Sequence, residues 1–352
     1  MEVKMFTGYN LKIDKMFFSD KPKSFGYYKD IGENHLNDQI NEYKNNLNMY
    51  IRKGTINGSE LQNDIFPIID ADVFISHSHN DKDLANALAG WIHSEFGLKV
   101  FIDSNVWGYS QELLEDINSK YSNKRKDTNS SFLYDHDACS YASQHVNIML
   151  SVALHKMIDT VECVILLNTD NSITIFDDTN KKMNSTYSPW IYSEIVCTQI
   201  VRKKPLLYYR EYNEFAHADE SRQYIYAMSK LQISYNVSLQ HLTDLSKGDL
   251  NKWKEIHDKD SITFNKYQKY SLDALYSFKH PKEYEYAKKL SASLNKKHIE
   301  KLRKFIDGNV ASPDIIHELV EMNLICEREG KKCSTCKGEY CEFRSKRRDL
   351  YE

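Results

Sequence analysis

Three short runs of apolar, β-prone residues decide the fold class: Asp72 to Ser76 (DVFIS), Lys99 to Asp103 (KVFID) and Glu162 to Asn168 (ECVILLN). None alternates polar with apolar positions, so each reads as a strand covered on both faces, as in the interior of a parallel sheet. Parallel neighbours cannot be joined by tight turns and need crossovers, usually helical. The segment between the first two runs supplies one. From Asp81 to Phe96, the residues Leu84, Leu88, Trp91 and Ile92 fall on one helical face, and Gly97 reads as the C-terminal cap. Two more β-prone runs follow, Pro205 to Tyr209 (PLLYY) and Leu231 to Leu239 (LQISYNVSL), with helices expected from Pro189 to Val201 and from Asp219 to Leu231. The expectation is an α/β fold: a doubly wound, flavodoxin-like sheet of five parallel strands in the order 2-1-3-4-5.

Residues 1–68 are polar and aromatic, carry one expected helix from Leu36 to Ile51, and read as an N-terminal helical extension. The α/β domain is expected over 69–258. Residues 104–161, between the second and third strands, exceed the length of an ordinary crossover, so an insertion is expected over about 121–145, serving as a lid or a surface excursion. Beyond Asp249 to His257 the chain turns to Lys- and Tyr-rich helical segments, which makes 259–352 a C-terminal helical region with a Cys-rich tail.

Charge excludes one class of partner. The 47 basic and 50 acidic side chains nearly cancel, so no nucleic-acid partner is expected. No membrane association is expected either. The first ten residues form no apolar leader, and the most apolar stretch, Asn147 to Leu167, is interrupted by His155, Lys156, Asp159 and Glu162. A cytoplasmic location follows as the expectation, and the 7 cysteines, an odd number, do not look like a secreted disulfide framework. Four of them, Cys326, Cys333, Cys336 and Cys341, crowd the tail with spacing C-x6-C-x2-C-x4-C. Four thiolates suit a structural zinc, with an iron–sulfur cluster and unliganded thiols as the alternatives.

Open α/β sheets bind ligands beyond the carboxyl ends of the strands, where chain order reverses. In a 2-1-3-4-5 order that crevice lies between strands one and three, beside Ser76 to His79 (SHSH) and the start of the helix at Ser188 to Glu194 (SPWIYSE). Ser188 followed by Pro189 is a good helix start, and Trp190 and Glu194, four apart, share one face. Spacing alone leaves open a core tryptophan and a solvated helix charge.

DVFISHS, then an amphipathic helix, then GLKVFIDS, then Trp-x-x-x-Glu at the start of the helix after the third strand, together resemble a Toll/interleukin-1 receptor (TIR) domain over about residues 70–258. In the NAD-cleaving branch of that family a glutamate in this pattern is essential for breaking the nicotinamide–ribose bond, and the resemblance gives that catalytic role to Glu194. It also implies that Ser76, His77 and Ser78 line the substrate cleft and that Trp190 walls it or stacks on the substrate. The resemblance also counts Asp103 and Trp107 among the substrate-binding residues, at the strand end and the flexible loop through which such domains often assemble. Where some members carry an aromatic–basic pair after the first strand, this chain has His77 and Ser78, which leaves nucleotide contacts there unassigned.

One carboxylate suffices for this chemistry. Ordinary glycosidases need a second acid to protonate a poor leaving group, whereas nicotinamide leaves a pyridinium and departs neutral. No Walker loop and no Gly-rich dinucleotide fingerprint is present, so NAD is expected as substrate and no cofactor as catalyst. The resemblance thus implies an NAD+ glycohydrolase or cyclase that releases nicotinamide and ADP-ribose or a cyclic or conjugated derivative. It also implies self-association through the TIR-like domain, a downstream effector that senses the product, and a setting in bacterial anti-phage defence. The rival readings are a non-catalytic signalling scaffold of the same family and a nucleoside deoxyribosyltransferase-like enzyme on a related fold.

Overall fold

The computed structural model describes residues 7–37, 50–52, 55–102, 104–122, 125–126, 132–178, 181–201, 234–260, 270–285, 288, 325–328 and 331–334. The fold is α/β, built on a five-stranded, all-parallel sheet. Its strands are β1 (Thr7–Lys12), β2 (Val73–Ser76), β3 (Val100–Ile102), β4 (Cys163–Leu167) and, after three others named below, β8 (Thr243–Ser246). The order across the sheet is β8-β1-β4-β2-β3. The register sets Val73 beside Val100 on one side of β2 and beside Cys163 on the other. All five residues of β4 are buried, as are Val73 to Ser76 and Val100 to Ile102, which is why these runs are continuously apolar.

Half of the expected strand order is present: β3, β2 and β4 stand as the 2-1-3 half. The other half is a correction. The place expected for PLLYY is filled by β1, from the segment read as an N-terminal extension, and β8 stands beyond it, pairing Tyr9 with Thr243 and Leu11 with Leu245. Residues 205–209 lie outside the described residues. Among the described residues 234–239 of the run Leu231 to Leu239, only Tyr235–Asn236 is a strand (β7), and it pairs antiparallel with β6 (Lys181–Thr186), which pairs with β5 (Thr174–Asp178) in a separate three-stranded sheet. A helix not expected from the sequence, α1 (Phe25–Asn37), comes first; of the helix expected from Leu36 to Ile51, residues 38–49 lie outside the described residues, and Ile51 pairs with Ile56 in a two-residue ladder.

Helices gather in two groups. In one, α1 packs on α3 (Lys82–Phe96) at a crossing where both backbones touch. A Cβ on Gly90 would lie 1.8 Å from the Tyr28 carbonyl oxygen, and one on Gly32 would lie 2.0 Å from that of Asn86, so only glycine fits at either position. Gly97, at φ 67°, ends α3 in the left-handed conformation expected of a C-terminal cap. The other group is α2 (Gly58–Ile65), α4 (Ser104–Tyr121), α5 (His136–Thr160) and α6 (Pro189–Ile200), with α5 touching each of the rest. The long β3–β4 connection is therefore largely a helical pair. Asp135 caps α5 by accepting from the Ala138 N–H, so residues 136–145 of the expected insertion are the first turns of a helix.

The described residues group into two compact units. The sheet and the helices named so far belong to one. The other contains the end of α7 (Lys247–Asp260) and α8 (Ser271–Lys279), where Trp253 is buried and its indole N–H donates to the Ser271 carbonyl at 2.9 Å. It also contains a hairpin, Ile325–Arg328 with Lys331–Ser334. Among the described residues, no helix is long and apolar enough to cross a membrane.

Candidate active site

Chain order reverses between β2 and β4. From β2 the chain moves outward to β3, whereas from β4 it moves the opposite way to β8, so the crevice beyond the carboxyl ends of β2 and β4 is a topological switch point. Ser76 is the last residue of β2 and stands across from Leu166 of β4. On the other wall, Ser188 caps α6 by accepting from the Ile191 N–H at 3.2 Å, and Pro189 occupies the first turn. Ile191 and Ile195 of α6 pack with Leu166, Ile173 and Leu242, which fixes the rotation of the helix about its axis.

That rotation turns Glu194 inward. Its residue is 1% exposed, and Ser76 Oγ donates to Glu194 Oε2 at 2.6 Å. The length falls in the range of a charge-assisted hydroxyl–carboxylate bond. Burying a carboxylate carries an effective penalty of several kcal/mol, so a position at the centre of α6 is not one that packing alone selects for glutamate. His77 is 3% exposed, and Ser78 is half-buried at the start of the turn His79–Asp81. Trp190, half-buried in the first turn of α6, is neither a core residue nor a fully solvated one. The structure thus brings Ser76 and Glu194 into contact, with His77 and Ser78 following Ser76 and Trp190 one turn before Glu194. Asp103 lies outside the described residues. Trp107 lies in α4, where a flexible loop was expected, and its side chain is outside the described set.

Three residues not singled out by sequence hold the crevice walls together. Asp81, 8% exposed, accepts from Thr169 Oγ1 at 2.5 Å and from Asn171 Nδ2 at 2.8 Å, tying the loop after β2 to the loop after β4. An Asp before a helix ordinarily reads as a cap, but this one makes no capping bond within α3 and reaches across the sheet edge instead. Behind Glu194, His155 Nε2 lies 2.8 Å from Ser193 Oγ, joining α5 to α6. Burial lowers the His155 pKa below its ordinary value, which favours the neutral imidazole. Burial, with the fields of Asp159 and Glu194, pushes the Cys197 thiol up to about 12, so that sulfur is not a nucleophile at neutral pH.

In the tail, Cys326 and Cys333 are direct cross-strand partners in the hairpin; Cys336 and Cys341 lie outside the described residues. Among the described residues, no group of three or more His, Cys, Asp or Glu side chains is placed to hold a metal ion. No family model, no curated protein and no solved structure matches the chain.

Proposed function

We propose that this chain is an NAD+ nucleosidase of TIR type that breaks the nicotinamide–ribose bond at Glu194. The observation that carries the reading is the buried Glu194 carboxylate, held by Ser76 Oγ at 2.6 Å in the crevice beyond the carboxyl ends of β2 and β4. In the reaction the C1′–N bond breaks heterolytically and its electron pair goes to the ring nitrogen, so the pyridinium leaves as neutral nicotinamide. The ribose keeps an oxocarbenium-like charge, which a fixed carboxylate in a water-poor site stabilises. Water then adds to C1′ and loses a proton, giving ADP-ribose; a nucleophile within the same molecule gives a cyclic product instead. Ser76 keeps the carboxylate aimed, and Trp190 supplies an aromatic wall for the substrate.

NAD+ is thus a substrate. Self-association through the sheet-bearing unit, an effector that senses the product, and a cytoplasmic role in anti-phage defence complete the proposal. Incubating the full chain with NAD+ and measuring free nicotinamide tests it; a concentrated preparation that releases none is the result that would defeat it.

The tail carries a separate proposal, a structural zinc held by Cys326, Cys333, Cys336 and Cys341. It rests on their spacing and on the opposed positions of Cys326 and Cys333 across the hairpin. Metal analysis of protein purified without chelator is expected to find zinc in stoichiometric amount, and a preparation without zinc would count against it.

A further inference from the structure

The carboxyl edge of the sheet carries a second concavity. Over the ends of β4, β1 and β8 lies an open cleft of ≈ 760 Å³, lined by the carboxamides of Asn10, Asn168, Asn184, Asn236 and Gln240 and by Asp244. Its size falls in the range of small-molecule sites. Met183, Val237, Leu239 and Leu242 contribute apolar surface to the same cleft, and Lys12 balances the charge of Asp244. A neutral wall crowded with amides does not suit a polyphosphate or a metal ion. It suits a neutral ligand with many donors and acceptors and an apolar face.

Two of the amides are held in place. Asn168 Nδ2 donates to Asn10 Oδ1 at 2.8 Å, and Asn10 Nδ2 donates to Asp244 Oδ1 at 2.8 Å. This chain crosses β4, β1 and β8 and fixes the amide of Asn10, which is 8% exposed. Its two ends, Asn168 Oδ1 and Asp244 Oδ2, are acceptors. Asp244 is the second residue of β8, and its free oxygen can accept from a ribose hydroxyl as acidic side chains do in α/β nucleotide sites, while a carboxamide matches the paired donor and acceptor on the N6/N7 edge of adenine. The opposite wall is fastened to α6. Tyr192 stacks on Tyr235 with ring centres 4.7 Å apart, and the Val237 N–H donates to the Asn184 carbonyl at 2.9 Å.

We propose that this cleft binds a purine ribonucleoside, with the Asp244 carboxylate taking the ribose diol and the rim carboxamides taking the base edge. The site is separate from Glu194 and does not depend on NAD cleavage. Calorimetric titration of the full chain with adenosine and with 2′-deoxyadenosine tests it. Adenosine is expected to bind, and the deoxy compound to bind at least about tenfold more weakly, since it lacks a hydroxyl bonded to a charged group. Asp244→Ala is expected to erase that preference. Because Asp244 also anchors Asn10, Asn184→Leu on the exposed rim serves as a second variant, expected to weaken both ligands about threefold or more while leaving the preference for ribose intact. Glu194→Gln should bind adenosine as the parent does, so loss of nucleoside binding and loss of NAD cleavage are read apart. No binding at about 10 mM adenosine, equal binding of the two nucleosides, or affinities unchanged in both cleft variants would overturn the proposal.

Discussion

Strand β2 handles a carboxylate at each end, and the two ends use it differently. At the amino end, Asp72 accepts the Lys99 N–H at 2.8 Å while its own carbonyl receives the N–H groups of Glu162 and Cys163. Lys99 Nζ pairs with Asp70 in the same cluster. Those contacts join β2 to both neighbours, so the acidic groups there have a structural return. Burial raises the Asp72 pKa, the Lys99 N–H opposes the rise, and Glu162 adds to it. At the carboxyl end, Ser76 meets Glu194, which arrives from a helix and not from a strand. Both ends thus bury a glutamate, Glu162 at 6% and Glu194 at 1% exposure, yet only the second lies at the carboxyl ends of the strands, the edge at which open α/β sheets take ligands. Position relative to strand direction, more than burial, separates a structural carboxylate from a candidate catalytic one.

The largest expected effect that would break this contrast is on stability. Asp72→Ala removes the acceptor of a partly buried backbone N–H and should cost about 2 kcal/mol in urea unfolding, with nicotinamide release per folded molecule unchanged. Activity lost beyond the unfolded fraction would mean that the amino end takes part in the reaction. Ser76→Ala is expected to act on both stability and turnover. It leaves the buried Glu194 carboxylate without that donor, which should cost about 2 kcal/mol in unfolding, and it should lower nicotinamide release per folded molecule about tenfold. A large stability loss with normal turnover would make the Ser76–Glu194 bond structural.

The half of the sheet formed by β1 and β8 was the less legible in sequence, for reasons visible in particular residues. β2, β3 and β4 announce themselves because helices cover both faces and every position except Ser76 is apolar. β1 alternates Tyr9 and Leu11, both fully buried, with Gly8, Asn10 and Lys12, and so imitates an exposed edge strand. It stands inside the sheet because Asn10 is satisfied laterally by Asn168 and Asp244, partners 158 and 234 residues away, which no local window can reveal. β8 (TDLS) is too short and too polar to register as a strand. Ser188 and Gly97 were legible because capping is local, whereas i, i+4 spacing alone left Glu194 open to being a solvated helix charge. Asp81 was not, since its use is decided by Thr169 and Asn171 on another loop.

A smaller effect concerns the support of α6. Because the folded protein lowers the His155 pKa below its ordinary 6.5, the folded state binds fewer protons than the unfolded chain between those two values. Its contribution is therefore whole above about pH 6.5 and is lost as pH falls through the lowered folded value. The urea midpoint should decline from pH 7.5 to pH 5, and His155→Gln, which can still bond Ser193, should flatten part of that decline. An identical pH profile in the variant would remove His155 from the account.

The central claim is that one of two buried glutamates meets a developing cation. Nicotinamide release from NAD+ by folded Glu194→Gln and Glu162→Gln, measured side by side with the parent, tests it most directly. Glu194→Gln keeps size and most hydrogen bonding while removing the charge, and should lose at least about a hundredfold in rate, the scale of deleting one preorganised electrostatic group. Glu162→Gln, at the amino end of β4, should stay near the parental rate. Parental turnover in Glu194→Gln, or an equal loss in both variants, would contradict the account.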